Sequence, residues 1–185
     1  MEIVTNLQKI ASLAKARNDE NWNFRYYLKN LDMDIEDIDK IVHKIYEDVS
    51  SQVDCTKCSN CCREIRPVLD DDDIIQFSKG LNIEFSEFKE KYIIKVEEDE
   101  KDRYNFNCLP CPFLKDGKCI NYQNRPKDCK SYPHLHKDEF VFRLWNVIDQ
   151  YDICPIVFNV YEILKDELWN NRFLFYDDEI DSIDY

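Results

Sequence analysis

Glycine is almost missing from this chain of 185 residues, which has only Gly80 and Gly117. A P-loop and a G-x-G-x-x-G dinucleotide turn both need clustered glycines where backbone meets phosphate, so the sequence argues against both. Positive charge is also short: Lys and Arg total 25 against 38 Asp and Glu, a net charge of −13. Such a balance is wrong for a nucleic-acid backbone or an anionic membrane, and neither is expected as a partner. Long apolar runs are lacking too. The longest stretch without Asp, Glu, Lys or Arg is the 11 residues from Tyr104 to Leu114, well short of the roughly 20 that cross a bilayer. The N-terminal stretch carries Glu2, Lys9, Lys15 and Arg17 and no apolar signal core, so a cytoplasmic location is expected. With only His43, His134 and His136, a histidine-rich catalytic zinc site is disfavoured. The chain is nevertheless 44% hydrophobic, too apolar to stay disordered.

What the sequence has in excess is cysteine, 9 residues in two groups. An odd, clustered set without a secretion signal points to thiols or metal ligands rather than structural disulfides. The first group, CTKCSNCC, holds Cys55, Cys58, Cys61 and Cys62; the second spreads over Cys108, Cys111, Cys119, Cys129 and Cys154. C-x-x-C lets two thiolates of one tight turn reach one ion, and the two groups together suggest one or two centres tying distant segments. Zinc and an iron–sulfur cluster both accept such ligands. A bacterial-ferredoxin run would place its fourth cysteine at position 65, which is Ile65. A redox dithiol is disfavoured because no thioredoxin-like βαβ pattern surrounds the motif. Buried inert thiols are a poor explanation for clustering of this density.

The rest of the pattern is mostly helical. Ile3, Leu7, Ile10 and Ala14 predict an amphipathic helix within residues 1–17, and Ile35 to Val49 a second behind a cap at Asp34. The polar, aromatic stretch Asn18–Asn30 reads as a linker. Asp70–Asp73 reads as the acidic start of a helix rather than a calcium loop, ending near Gly80 as C-cap, with Ser86 capping the next. Residues 97–103 read as a charged loop, Arg103–Phe106 as a strand, and Asp116–Gly117 as a hairpin turn. Alternation over Phe140–Val147 predicts a strand; Ile156–Phe175 predicts a helix with Pro155 in its first turn, and the tail from Asp177 is acidic. The expected fold is mainly α with a small β element, a single metal-stabilised domain with cysteine-bearing loops. Its expected divisions are a helical extension over 1–50, the cysteine cluster over 51–160, and a C-terminal helix with acidic tail over 161–185.

CTKCSNCCR resembles the C-x-x-C-x-x-C-C opening of the YkgJ-type cysteine-cluster proteins, a zinc- or iron-chelating domain. The likeness continues through Asp73–Ile74, Gly80–Leu81, Glu87–Phe88 and Lys91–Tyr92, then CPFLKDGKCINYQNRPKDCKSYP, and closes on Cys154–Pro155. This resemblance implies a ligand set of Cys55, Cys58, Cys61, Cys62, Cys111, Cys119, Cys129 and Cys154, with Cys108 extra. Asn121 and Lys130 depart from the family pattern without touching a thiol. The family is also similar to flagellin lysine N-methylases, which implies methyl transfer from S-adenosylmethionine to a protein substrate, although this chain has no glycine-rich methyl-donor loop. The function expected is metal binding, by zinc or an iron–sulfur cluster, in or accessory to protein modification. The alternatives are the methyltransferase itself and a structural-zinc interaction module. Within the motif, Arg125 reads as a loop anchor before an anion binder, Tyr122 and Tyr132 as packing, and His134 as a surface residue.

Overall fold

A computed structural model describes residues 2–96 and 103–170. It is about 60% helical with two small antiparallel sheets, so the chain is mainly α with a small β element. In chain order the helices are α1 (Leu7–Ala16), α2 (Asn18–Lys29), α3 (Ile35–Ser50), α4 (Cys55–Cys58), α5 (Cys61–Glu64), α6 (Asp71–Gly80), α7 (Phe85–Tyr92), α8 (Lys127–Ser131), α9 (Leu144–Asp149) and α10 (Pro155–Lys165). The strands are β1 (Ile93–Lys95), β2 (Tyr104–Phe106), β3 (Leu114–Lys115) and β4 (Lys118–Cys119). Two compact units result, Met1–Val53 with Pro133–Tyr185, and Asp54–Tyr132.

The first unit is helical. Its last helix, α10, has 10 of its 11 residues buried, and α3 packs on it. Of residues 18–30, expected as a linker, Asn18–Lys29 form α2 with Asn30 as its C-cap: Asn21, Phe24 and Leu28 recur every three to four residues and are buried. The stripe is disguised because Asn21 is polar; it is buried because its carbonyl accepts the Tyr161 hydroxyl at 3.0 Å and its side chain accepts Lys165 Nζ at 3.0 Å. The strand expected over Phe140–Val147 is a 3-10 turn, Phe140–Arg143, running into α9. Phe140, Val141, Leu144 and Val147 are its buried positions, a helical period that also alternates over a short window. The C-terminal helix ends at Lys165, followed by a π-helical turn over Asp166–Asn170; the remainder of that prediction and the acidic tail lie outside the described residues, as do 97–102 of the charged loop.

Charge inside this unit is paired. Lys165 is 2% exposed; its ammonium meets Glu20 and Glu162 at 2.5 Å each, and Glu162 also meets Arg17 and the Tyr151 hydroxyl. Asp39, buried on α3, accepts the backbone N–H of Glu139 at 2.6 Å and of Phe140 at 2.9 Å. Asp39→Ala leaves both amides without acceptors, and a stability loss of about 2–4 kcal/mol is expected in urea unfolding.

The second unit wraps an aromatic core. Helix α6 begins with a capping box: Asp70 accepts the Asp73 N–H at 2.8 Å and Asp73 accepts the Asp70 N–H at 3.4 Å. At α7 the cap is Glu84, accepting the Ser86 N–H at 2.7 Å, and Ser86 is not the cap residue. Strands β1 and β2 pair Ile93 with Phe106, and Leu69 bridges to Tyr104. The predicted hairpin is present: Asp116 (φ 49°) and Gly117 (φ 74°) turn β3 into β4, the left-handed pair a type I′ turn requires.

Gly80 serves close approach rather than capping; it is the last residue of α6, and Leu81 is the C-cap. A Cβ on it would stand 2.2 Å from Asn124 Nδ2 and 2.4 Å from Asn121 Oδ1. Those amides are not spare: Asn124 donates to Asn121 at 2.8 Å, and Asn121 donates to the Phe77 carbonyl at 2.7 Å. Gly80→Ala is therefore expected to lower stability by about 1–3 kcal/mol in thermal melts, although alanine is intrinsically the better helix former by about 1 kcal/mol.

Candidate metal centre

The second unit is built so that separate chain segments bring thiols to one place. Asp54 caps α4 and accepts the Thr56 N–H at 3.0 Å. Ser59 then takes a left-handed conformation, φ 50°, which a non-glycine residue adopts at a cost, and redirects the chain into α5. Arg63 braces this bend, donating to Ser59 Oγ at 2.8 Å and the Cys58 carbonyl at 3.2 Å. The Cys111 N–H then donates to the Cys62 carbonyl at 2.7 Å, joining the two cysteine groups through backbone. The β3–β4 hairpin delivers Cys119. Helix α8 delivers Cys129 and is tied by Lys127 N–H to Asp73 at 2.9 Å, Lys127 Nζ to Asp70 at 2.7 Å, and Val68 N–H to Asp128 at 2.9 Å.

The result is a cavity of about 610 Å³, counted to its open mouth, with Cys61, Cys62, Cys111, Cys119 and Cys129 in its lining. Phe77 and Phe106 supply an apolar wall, and Arg125, Asp128 and Tyr132 are also lining residues. All nine cysteines are thiols rather than half-cystines. Among the described residues, no three His, Cys, Asp or Glu side chains converge tightly enough to hold an ion at one point. The five thiols thus share a cavity without closing on a common centre.

Their electrostatics follow from that crowding. Burial pushes Cys111 up to about 11 and raises Cys119 and Cys129, and a thiolate at Cys62 adds repulsion at all three. Cys62 itself is lowered to about 7, by a hydrogen bond from Cys61 and by the charges of Arg125 and Arg63. Several thiolates cannot coexist here without positive charge between them. A thiophilic cation supplies that charge, so the donor set fits one.

Three predicted ligands are not among the lining residues of this cavity. Cys55 starts α4 and is exposed, and Cys58 ends it; neither is in the cavity lining. Cys154 belongs to the first unit, 6% exposed, at the N-cap of α10. Cys108 is exposed, its Sγ 3.8 Å from the Pro110 carbonyl. His134 belongs to the first unit, where its carbonyl accepts Arg143 at 2.7 Å. Arg125 anchors its loop as expected, Nε donating to the Tyr122 carbonyl at 3.0 Å, but it also lines the thiol cavity, which the sequence did not reveal. Phe77 and Phe106 were equally hidden as lining residues, because their spacing reads only as core.

Residues 54–154 match the family described as "CxxCxxCC: Putative zinc- or iron-chelating domain". The chain belongs to this CxxCxxCC family. The match takes in the whole thiol cavity and runs on to Cys154. Comparison with curated proteins and with solved structures gives no match. Among the described residues of this CxxCxxCC protein, no helix is long and apolar enough to cross a membrane.

Proposed function

We propose that this CxxCxxCC protein binds a thiophilic metal through the thiols of Cys61, Cys62, Cys111, Cys119 and Cys129. The observation carrying this reading is the gathering of those five side chains, from three stretches of chain, around one partly apolar cavity. When bound, the metal would stabilise thiolates that burial otherwise keeps protonated, and would add folding free energy on the order of 10 kcal/mol if zinc. The all-thiolate donor set suits an iron–sulfur cluster, the reading tested first; a structural zinc ion, which takes four thiolates equally well, is the alternative. A place in or beside protein modification is supported by the resemblance alone, and methyl transfer has no glycine-rich donor loop to support it.

Anaerobic purification followed by metal and sulfide analysis tests the reading. A brown protein with iron and sulfide is expected. A colourless protein with stoichiometric zinc selects the alternative, and a protein that takes up neither iron nor zinc on reconstitution overturns metal binding. Titration with S-adenosylmethionine tests the methyltransferase reading separately, where absence of binding removes it.

A further inference from the structure

Arg125 is the cavity's cationic wall, and its position is unusually well fixed. Its Nε donates to the Tyr122 carbonyl at 3.0 Å and its guanidinium carbon lies 3.4 Å from the centre of the Tyr122 ring. The turn beneath it is pinned to α6 by Asn121 and by the close approach at Gly80, and Pro126 stiffens the next step. Three other cations of this unit face carboxylates, Lys57 meeting Asp54 at 3.3 Å, Lys89 meeting Asp71 at 2.9 Å and Lys127 meeting Asp70 at 2.7 Å, and Arg63 braces the Ser59 bend. Arg125 instead shares a cavity lining with the thiols of Cys61, Cys62, Cys111, Cys119 and Cys129, where Asp128 is the carboxylate present, and its charge favours the thiolates of Cys62 and Cys119.

Four thiolates around a zinc ion or around a [4Fe–4S]²⁺ cluster would alike leave net charge 2−, which is costly to place against an apolar wall such as Phe77 and Phe106. A guanidinium remains charged at every working pH and is less strongly hydrated than an ammonium, so it can stand beside such a centre at low desolvation cost. We propose that Arg125 is a positioning residue of the metal centre, its fixed charge offsetting the excess negative charge of the assembled thiolates and so tightening metal binding. This inference rests on the metal-binding reading above. It assigns Arg125 a role beyond that of loop anchor, in which Nε and the ring face hold the residue while its charge serves the thiols.

The test is competition for Co²⁺ against a chelator, with the full chain as wild type, Arg125→Gln and Arg125→Lys, alongside thermal melts of the metal-free forms. Arg125→Gln is expected to weaken Co²⁺ binding on the order of tenfold to a hundredfold, with little change in the metal-free melting temperature. Arg125→Lys keeps the charge but loses the planar stack, and is expected to regain most of the affinity and the thiolate-to-cobalt charge-transfer band. Equal affinity of Arg125→Gln and wild type overturns the proposal, as does an Arg125→Lys variant no tighter than Arg125→Gln, which would mark a purely structural anchor. A wild type that takes up neither Co²⁺ nor Zn²⁺ nor, on reconstitution, iron overturns the metal reading itself; where iron alone is taken up, the same three proteins are compared by iron retention against the chelator, and retention left intact in Arg125→Gln overturns only the role of Arg125.

Discussion

Cys129→Ser is expected to weaken metal binding on the order of a hundredfold and to remove the added stability of the loaded protein. A site worth on the order of 10 kcal/mol, shared among about four thiolates, gives roughly 2–3 kcal/mol to each. Serine is smaller and presents a hard oxygen that a thiophilic ion binds poorly. Cys129 is a demanding choice because its helix, α8, is fastened by Lys127 to both Asp70 and Asp73, so the backbone should survive the change. Cys108→Ser is the control: its thiol is exposed and outside the cavity lining, and unchanged metal content is expected. Metal stoichiometry and melting temperature of the two variants check this. A Cys129→Ser protein that loads as fully and as tightly as wild type contradicts the ligand assignment.

Phe113→Ala is the second large effect. Phe113 is buried, and its ring centre lies 4.7 Å from Phe77, 4.9 Å from Tyr92, 5.2 Å from Phe106 and 5.6 Å from Phe88. Truncation removes a large apolar side chain from the middle of four others and leaves a void, at an expected cost of about 3–5 kcal/mol. Against a typical total of about 5–15 kcal/mol this is severe. The same void lies behind Phe77 and Phe106, which form the apolar wall of the thiol cavity, so looser metal retention is expected alongside the lost stability. Urea unfolding measures the first and chelator-driven release the second; a loss below about 1 kcal/mol would mean that this ring is not the keystone its neighbours suggest.

The parts of the fold that were legible in the sequence are those with local causes. Asp70–Asp73 marks an acidic helix start, Asp116–Gly117 a hairpin, Pro155 a first helical turn, and all three are present, the first in the form of a capping box. The parts misread depend on distant partners. Asn18–Lys29 looks polar until Asn21 meets Tyr161 and Lys165, and Phe140–Val147 looks like a strand until its buried face is seen every three to four residues. At the site, spacing and family likeness pointed to cysteines as a class. Spacing alone could not divide them, because adjacent thiols such as Cys61 and Cys62 both reach the cavity while Cys55 and Cys58 sit outside its lining. Arg125 was legible as an anchor through its place before Pro126. Its second allegiance, to thiols, depends on the turn held against α6 and has no signature in one dimension.

The two units differ in how the polypeptide supplies them. The thiol-bearing one is a single uninterrupted stretch, Asp54–Tyr132, whereas the helical one is assembled from both flanks, with α3 from before that stretch packing on α10 from after it. During synthesis from the N-terminus, every residue of the cysteine-rich portion is therefore polymerised before the helix that α3 awaits. Closing the outer portion means joining helices separated by the whole inner stretch, and an inner stretch that is already compact shortens the effective loop that this closure has to span.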